Sequence, residues 1–164
     1  MAFNFIELDK QVLPKTKGKR IDGFRFYNID GKNYPSITTV LGIRKTEQLK
    51  GWREKIGENV ANWEMGRAAR RGKSFHTLVE QYIKGETPSI RDVLPLGLFK
   101  LLKPYIDQID NIHLLEAIMY SKKLTVAGQV DCVAEYNGKL SVIDFKTANK
   151  ERQESWIDNY FLQT

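Results

Sequence analysis

The chain has 164 residues, of which 41% are hydrophobic, and this is enough for one domain with a buried core. Its single cysteine, Cys132, excludes an intrachain disulfide framework, an iron–sulfur cluster and a Cys-rich zinc site. The formal net charge of +6 favours a polyanionic partner such as nucleic acid, although a basic balance alone is weak evidence.

The first elements in chain order are a loose lead-in over residues 1–20 and the start of a domain that we place at 21–164. A β-hairpin is predicted over residues 24–34, because Asp30-Gly31 stands between two β-prone runs. Ser36 is then placed to cap a short helix that begins at Ile37. The lead-in has no apolar signal-peptide core and no run reaches membrane-spanning length, so we expect a cytoplasmic protein without a membrane partner.

The middle of the chain is predicted to be mainly helical. Apolar residues recur at helical spacing over residues 47–65, 67–84 and 96–109. The second of these segments has the most regular stripe, formed by Phe75, Leu78, Val79, Tyr82 and Ile83. Residues 85–95 are predicted to form the loop that separates it from the third.

Short strands are predicted over residues 114–121 and 124–127, and a helix over 150–164. Its last residues, 160–164, contain no Gly, Asn or Pro stop signal, so we expect that the chain continues in the native protein.

The segment between these strands and the final helix predicts a second hairpin around the preferred turn Asn137-Gly138. This turn would set Val133 opposite Val142 and, further along, Asp131 opposite Asp144. Because strand side chains alternate with a period of two, Lys146 would share the face of Asp144.

Two carboxylates at the end of this hairpin are costly, because like charges on directly opposed residues destabilise a strand pair. The hairpin is apolar on both faces and is therefore expected to be buried. A hard divalent cation such as Mg²⁺ or Mn²⁺ would offset the crowding of Asp131 and Asp144. A solvated hairpin end with a simple Asp–Lys pair is the alternative.

The pattern Gly128-x-x-Asp131, a hairpin and Asp144-Phe-Lys146-Thr147 resembles the core motif of the PD-(D/E)XK nuclease superfamily. The resemblance is strongest to the RecB-like branch, which includes phage and mitochondrial exonucleases, and it extends over residues 24–163. It implies an α/β fold with a restriction-endonuclease-like core, in which helices flank a mixed central β-sheet. A phage origin would make the expected location the host cytoplasm.

The same branch implies a set of metal ligands. It has a Gly-x-x-x-His-x-x-x-Glu helix upstream of its carboxylates, which Gly72, His76 and Glu80 match. The resemblance therefore makes His76, Asp131, Asp144 and the backbone carbonyl of Phe145 the ligands. Without it, His76 and Glu80 form an ordinary pair at the edge of the core. Glu80 and Glu116 are left as possible second contacts to the site, with a surface charge as the alternative for Glu116.

Several residues are expected to contact the nucleic acid. Hydroxyls at a helix start suit a phosphate, basic residues precede the His76 helix, and Tyr160-x-x-Gln163 matches the start of a motif of the branch. Helix capping, a solvated basic face and a plain amphipathic helix are the respective alternatives. The full set is Ser36, Thr38, Arg67, Arg70, Arg71, Lys73, Thr147, Tyr160 and Gln163.

The sequence thus predicts a Mg²⁺- or Mn²⁺-dependent DNA exonuclease that acts on single-stranded ends, with Asp131, Asp144 and Lys146 as catalytic residues. One alternative is a nucleic-acid-binding module that keeps the fold without cleaving. The other is a structural protein in which both aspartates are solvated. The choice of DNA over RNA, the polarity, the number of metals and the oligomeric state are left open.

Overall fold

The computed structural model describes residues 3–7, 13–43, 46–89, 91–148 and 158–163. The strands are β1 (Lys19–Ile21), β2 (Phe24–Ile29), β3 (Lys32–Pro35), β4 (Ile109–Ser121), β5 (Val126–Tyr136) and β6 (Lys139–Ile143). The helices are α1 (Ile37–Gly42), α2 (Thr46–Ile56), α3 (Glu58–Ile83), α4 (Val93–Ile106) and α5 (Asp158–Phe161). The α/β class is confirmed. Among these residues, no helix is long and apolar enough to cross a membrane.

The strands form two antiparallel three-stranded sheets, β1-β2-β3 and β4-β5-β6, where the sequence predicted one mixed sheet. The tight turns explain the antiparallel order, because a two-residue connection cannot join parallel neighbours. A parallel bridge between Ser36 and Ala127 links the end of the first sheet to β5 of the second.

The predicted hairpin over residues 24–34 is confirmed as β2 and β3, with Tyr27 paired to Tyr34. Strand β1 was missed, because the lead-in was drawn through residue 20. Its turn, Asp22-Gly23, has positive φ at both residues (50° and 83°), as a two-residue hairpin turn requires. The Asp-Gly pair that predicted the turn at Asp30-Gly31 therefore also forms the turn between β1 and β2.

The boundary between the first two long helices was predicted wrongly. Residues 47–65 and 67–84 were assigned to two helices, whereas the chain breaks at Gly57 and α3 runs unbroken over 26 residues. Gly57 has φ 85° and ψ 145°, a backbone conformation close to a region that is essentially restricted to glycine. The apolar pattern continues across this break and does not reveal it. Arg53 of α2 then holds the two helices together through Glu58 and Asn62 of α3.

We expect Gly57→Ala to loosen α2, because a side chain is strained at this φ by about 1–3 kcal/mol. Hydrogen exchange of the α2 amides should become faster. Gly51→Ala is the matched control, since Gly51 lies within α2 and a Cβ there meets no atom within 4 Å. That change should slow the same exchange, because alanine stabilises a helix by roughly 0.5–1 kcal/mol over glycine. Equal exchange rates in both variants would contradict this account of the break.

The third predicted helix is present but begins and ends three residues earlier, at Val93 and Ile106, with Asp92 at its N-cap position. Strand β4 begins at Ile109, so the last residue assigned to that helix belongs to a strand. The strand predicted over 114–121 lies within the longer β4. Of the strand predicted over 124–127, residues 124 and 125 belong to the turn, and β5 begins only at Val126. His113, the second histidine of the chain, lies within β4.

The main core lies between the second sheet and helices α3 and α4. The apolar stripe of α3 packs against β4 and β5, where Ile112, Cys132 and Ala134 are fully buried. A smaller cluster, formed by Tyr27, Ile29, Tyr34 and Ala127, joins the first sheet to β5. Strand β5 therefore contacts both clusters, and the candidate site lies near its middle.

Candidate active site

The hairpin of β5 and β6 has the predicted register. Val133 pairs with Val142 and Tyr136 with Lys139 around Asn137-Gly138, which has positive φ at both turn residues. The paired residues end at Cys132 and Ile143, so Asp131 and Asp144 are the next residues on either side. The backbone amide of Phe145 donates to Oδ2 of Asp131 at 2.7 Å, which ties the end of β6 to this carboxylate.

Three side chains from three elements meet at this place. His76 of α3, Glu116 of β4 and Asp131 of β5 each offer a ligand atom, and these atoms all lie within 4.8 Å of one another. Nδ1 of His76 is 3.5 Å from Oδ1 of Asp131 and 3.7 Å from Oε1 of Glu116. We call these three residues the donor triad. The β4–β5 register explains two members, because the pairs on either side set Glu116 opposite Asp131.

The electrostatics of the donor triad favour a cation. Burial raises the pKa of Asp131 above its ordinary value, and the neighbouring charge of Asp144 raises it further. The pKa of His76 is also raised, first by its close polar contact with Glu116 and then by the charges of Asp131 and Glu116. Both shifts mean that bound positive charge is favoured here. Burial raises the pKa of the adjacent Cys132 thiol to about 12, so this thiol adds no negative charge to the site at neutral pH.

The structure places Asp144 and Lys146 together beside the donor triad. Nζ of Lys146 is hydrogen-bonded to Oδ1 of Asp144 and lies 5.6 Å from the centre of the Tyr160 ring. Among the described residues, the donor set within mutual reach differs from the expected one, because it contains Glu116 and lacks Asp144. For Phe145 the observed contact is made by the backbone amide, whereas the sequence prediction concerned its carbonyl.

The other predicted site residues are distributed as follows. Arg67, Arg70 and Lys73 are exposed on α3, whereas Arg71 is buried, which leaves three accessible cations in this group. Arg67 lies over the ring of Trp63, 4.9 Å from its centre. Glu80 forms an ion pair with Lys84 at 2.6 Å and is not a member of the donor triad.

Ser36 stands at the N-cap position of α1, but its hydroxyl contacts that of Thr38 at 2.6 Å and makes no capping hydrogen bond. The hydroxyl of Thr147 lies against α3 at Gly72. A methyl group on Gly72 would be 3.8 Å from it. Gln163 and Tyr160 are described and half-buried, whereas most of the predicted helix over 150–164 lies outside the described residues.

Sequence reasoning missed Gln129. Its Nε2 donates to Oε2 of Glu116 at 2.6 Å, so the other carboxylate oxygen faces His76. Glu116 itself has φ 49°, a left-handed conformation that costs about 1–3 kcal/mol in a non-glycine residue. The pairing of β4 with β5 sets Glu116 opposite Asp131. The sequence could have predicted this contact only if the bounds of β4 had been predicted correctly.

Comparison with known proteins gives three similar sequences, and no family model matches the chain. Mitochondrial genome maintenance exonuclease 1 of Homo sapiens is 32% identical over 138 residues, which are 76% of this chain and 40% of the human protein. The proteins of the same name from Mus musculus and Xenopus tropicalis are 29% and 28% identical over 72% of the chain.

The chain spans about two fifths of the length of these relatives. They are named as mitochondrial, so the cytoplasmic location expected above stays a prediction. Over about three quarters of its own length the chain is similar to proteins named as exonucleases, and this similarity supports a nuclease family.

Proposed function

We propose that this chain is a divalent-metal-dependent nuclease that hydrolyses phosphodiester bonds of DNA. The observation that carries the proposal is the convergence of the donor triad beside Lys146, at the end of the β5–β6 hairpin. The PD-(D/E)XK motif and the exonuclease relatives support the same reaction. We keep the RecB-like branch and a restriction-endonuclease-like core as part of this proposal.

The donor triad fits a hard cation such as Mg²⁺ or Mn²⁺. One imidazole nitrogen and two carboxylates match the ligands that Mn²⁺ accepts, and carboxylates suit Mg²⁺. The raised pKa of half-buried Asp131 indicates that its negative charge lacks sufficient compensation within the chain. We therefore propose His76, Glu116 and Asp131 as ligands, with Asp144 as a further carboxylate beside them.

A bound divalent ion would supply Lewis acidity at a phosphoryl oxygen and lower the pKa of a nearby water. The chain's own residues do the rest. Lys146 Nζ stabilises the negative charge that develops on the phosphoryl oxygens and orients the attacking water. Asp144 holds that ammonium group by a hydrogen bond. The amide of Phe145 fixes Asp131 and prevents its carboxylate from rotating away.

Exposed cations on α3 support a nucleic-acid substrate. Arg67, Arg70 and Lys73 lie within three helical turns of His76 on the same helix, and phosphate contacts of this kind hold a strand without reading its sequence. The net charge of +6 acts in the same direction. We propose DNA as the polymer, because the relatives are named for genome maintenance, and a single-stranded end as the preferred substrate.

The proposal is tested with end-labelled single- and double-stranded DNA in Mg²⁺, Mn²⁺ or EDTA. We expect cleavage of the single strand with either metal, none with EDTA, and a thermal transition that rises with metal concentration by mass action. Cleavage that persists in EDTA would contradict the metal dependence. DNA binding without products in Mn²⁺ would favour the non-cleaving module.

A further test concerns how Glu116 is held. We expect Gln129→Met to weaken Mn²⁺ binding by about tenfold, because residues that orient metal ligands contribute 10–100-fold to affinity. Methionine keeps the length of glutamine and removes the amide that donates to Glu116. The measurement is an Mn²⁺ titration by calorimetry in the absence of DNA.

Gln81→Met is the matched control, because the Gln81 amide bonds Ser89 at the far end of α3. It should leave Mn²⁺ affinity at the wild-type value. An unchanged dissociation constant in Gln129→Met would show that Glu116 is positioned without its help.

A further inference from the structure

A cavity of about 350 Å³ opens between the first sheet with α1 and the second sheet. Its walls come from β2, α1, β4, β5 and β6 and from the segment that follows α5. Asp131 and Asp144 line it directly, so the cavity is continuous with the candidate active site. A phosphodiester held at these carboxylates would have its adjoining nucleoside at or inside this opening.

Most of the wall area of the cavity is apolar, and polar side chains such as Ser36, Thr38, Ser121 and Gln129 stand among the apolar ones. Met119 of β4 and Val142 of β6, the two strands on either side of β5, are 44% and 42% exposed and give the cavity apolar wall that is open to solvent. The rings of Tyr27 and Tyr120 and the side chain of Ile37 complete the apolar part. A flat ring that stacks and contacts methyl groups suits such walls, whichever of the four bases it belongs to.

The volume limits what can enter. Cavities for small molecules measure about 300–1,000 Å³, so this one is at the lower end and suits a single nucleoside. A single nucleoside enters such an opening more readily than a base pair, whose two bases must stay coplanar. Arg25 brings a positive charge to the described lining and suits the next phosphate along the strand.

We infer that this cavity receives the one unpaired nucleoside that adjoins the scissile phosphodiester. The inference rests on the proposed function and extends it, because it gives a structural cause for a preference for single strands. A duplex end would have to release one nucleotide from its partner before the strand could reach Asp131.

The experiment fills the cavity from an exposed position. Val142→Trp places an indole in the opening, whereas Leu140→Trp places it two residues away on the same strand, where Leu140 is 67% exposed and does not line the cavity. The substrates are a single-stranded oligonucleotide and methyl p-nitrophenyl phosphate, a phosphodiester without a nucleoside. In Val142→Trp, kcat/KM for the oligonucleotide should fall at least tenfold more than that for the small diester. Leu140→Trp should show no such difference.

A binding measurement tests the cavity without cleavage. Calorimetry with thymidine 5′-monophosphate in Ca²⁺ should show binding to the wild type and to Leu140→Trp, and at least tenfold weaker binding to Val142→Trp. Met119→Trp, which fills the cavity from β4, is the second variant should Val142→Trp fold poorly. Equal losses in the cavity and control variants overturn the inference. If the wild type showed no metal-dependent cleavage, the proposed function would be overturned. The nucleotide-binding measurement would then decide by itself whether the cavity binds a nucleoside.

Discussion

Asp131→Asn is expected to reduce metal-dependent cleavage by on the order of 10³-fold, as removal of one transition-state-stabilising group does elsewhere. The change removes a negative charge from the donor triad while an amide oxygen remains to accept the hydrogen bond from Phe145. The hairpin end should therefore keep its geometry. The measurement is kcat/KM on a single-stranded oligonucleotide in Mg²⁺ and in Mn²⁺.

The thermal stability of Asp131→Asn without metal should not fall, although its activity should. Burial raises the pKa of Asp131, so its charged form is disfavoured in the folded protein, and a neutral side chain removes that penalty. We expect a thermal transition in EDTA no lower than that of the wild type. Added Mn²⁺ should then raise this transition less than in the wild type, because a ligand is lost.

Asp110→Asn is the control, because Asp110 is an exposed carboxylate on β4 of the same sheet. It should leave both cleavage and metal response unchanged. Wild-type kcat/KM in Asp131→Asn would remove Asp131 from the site. A large loss of stability in EDTA would show that its role is structural.

Lys146→Met is expected to lower kcat by about 10²–10³-fold while Mn²⁺ affinity stays within about threefold of wild type. Lys146 contacts Asp144, which is outside the donor triad, and its ammonium group supplies charge to the phosphoryl oxygens. Methionine keeps most of the length and packing of the side chain. The measurements are single-turnover cleavage and an Mn²⁺ titration on the same preparations.

The contrast with Asp131→Asn separates the two roles. Loss of Asp131 should weaken metal binding and cleavage together, whereas loss of Lys146 should weaken cleavage alone. Lys139→Met, on the exposed start of β6, is the control for loss of a positive charge from the hairpin. A marked fall of Mn²⁺ affinity in Lys146→Met would indicate that the ammonium group organises Asp144 as a ligand.

The local elements of this protein were largely predictable. Asp30-Gly31 and Asn137-Gly138 indicated both predicted hairpins, because their left-handed backbone is required by a two-residue turn. The second turn also fixed the β5–β6 register. The α3 stripe was equally clear, since its residues follow the helical period. The break at Gly57 escaped prediction because an apolar pattern can continue through a change of direction.

The sequence by itself determined the β5–β6 hairpin with Asp131, Asp144 and Lys146 at its end, because turn chemistry and strand alternation act over a few residues. Only the tertiary structure decided that Glu116 comes within ligand distance of His76 and Asp131, and that Gln129 holds it. These contacts depend on the pairing of β4 with β5 and on the packing of α3 against them. Such pairings are selected by burial of the whole core, and no short segment encodes them alone.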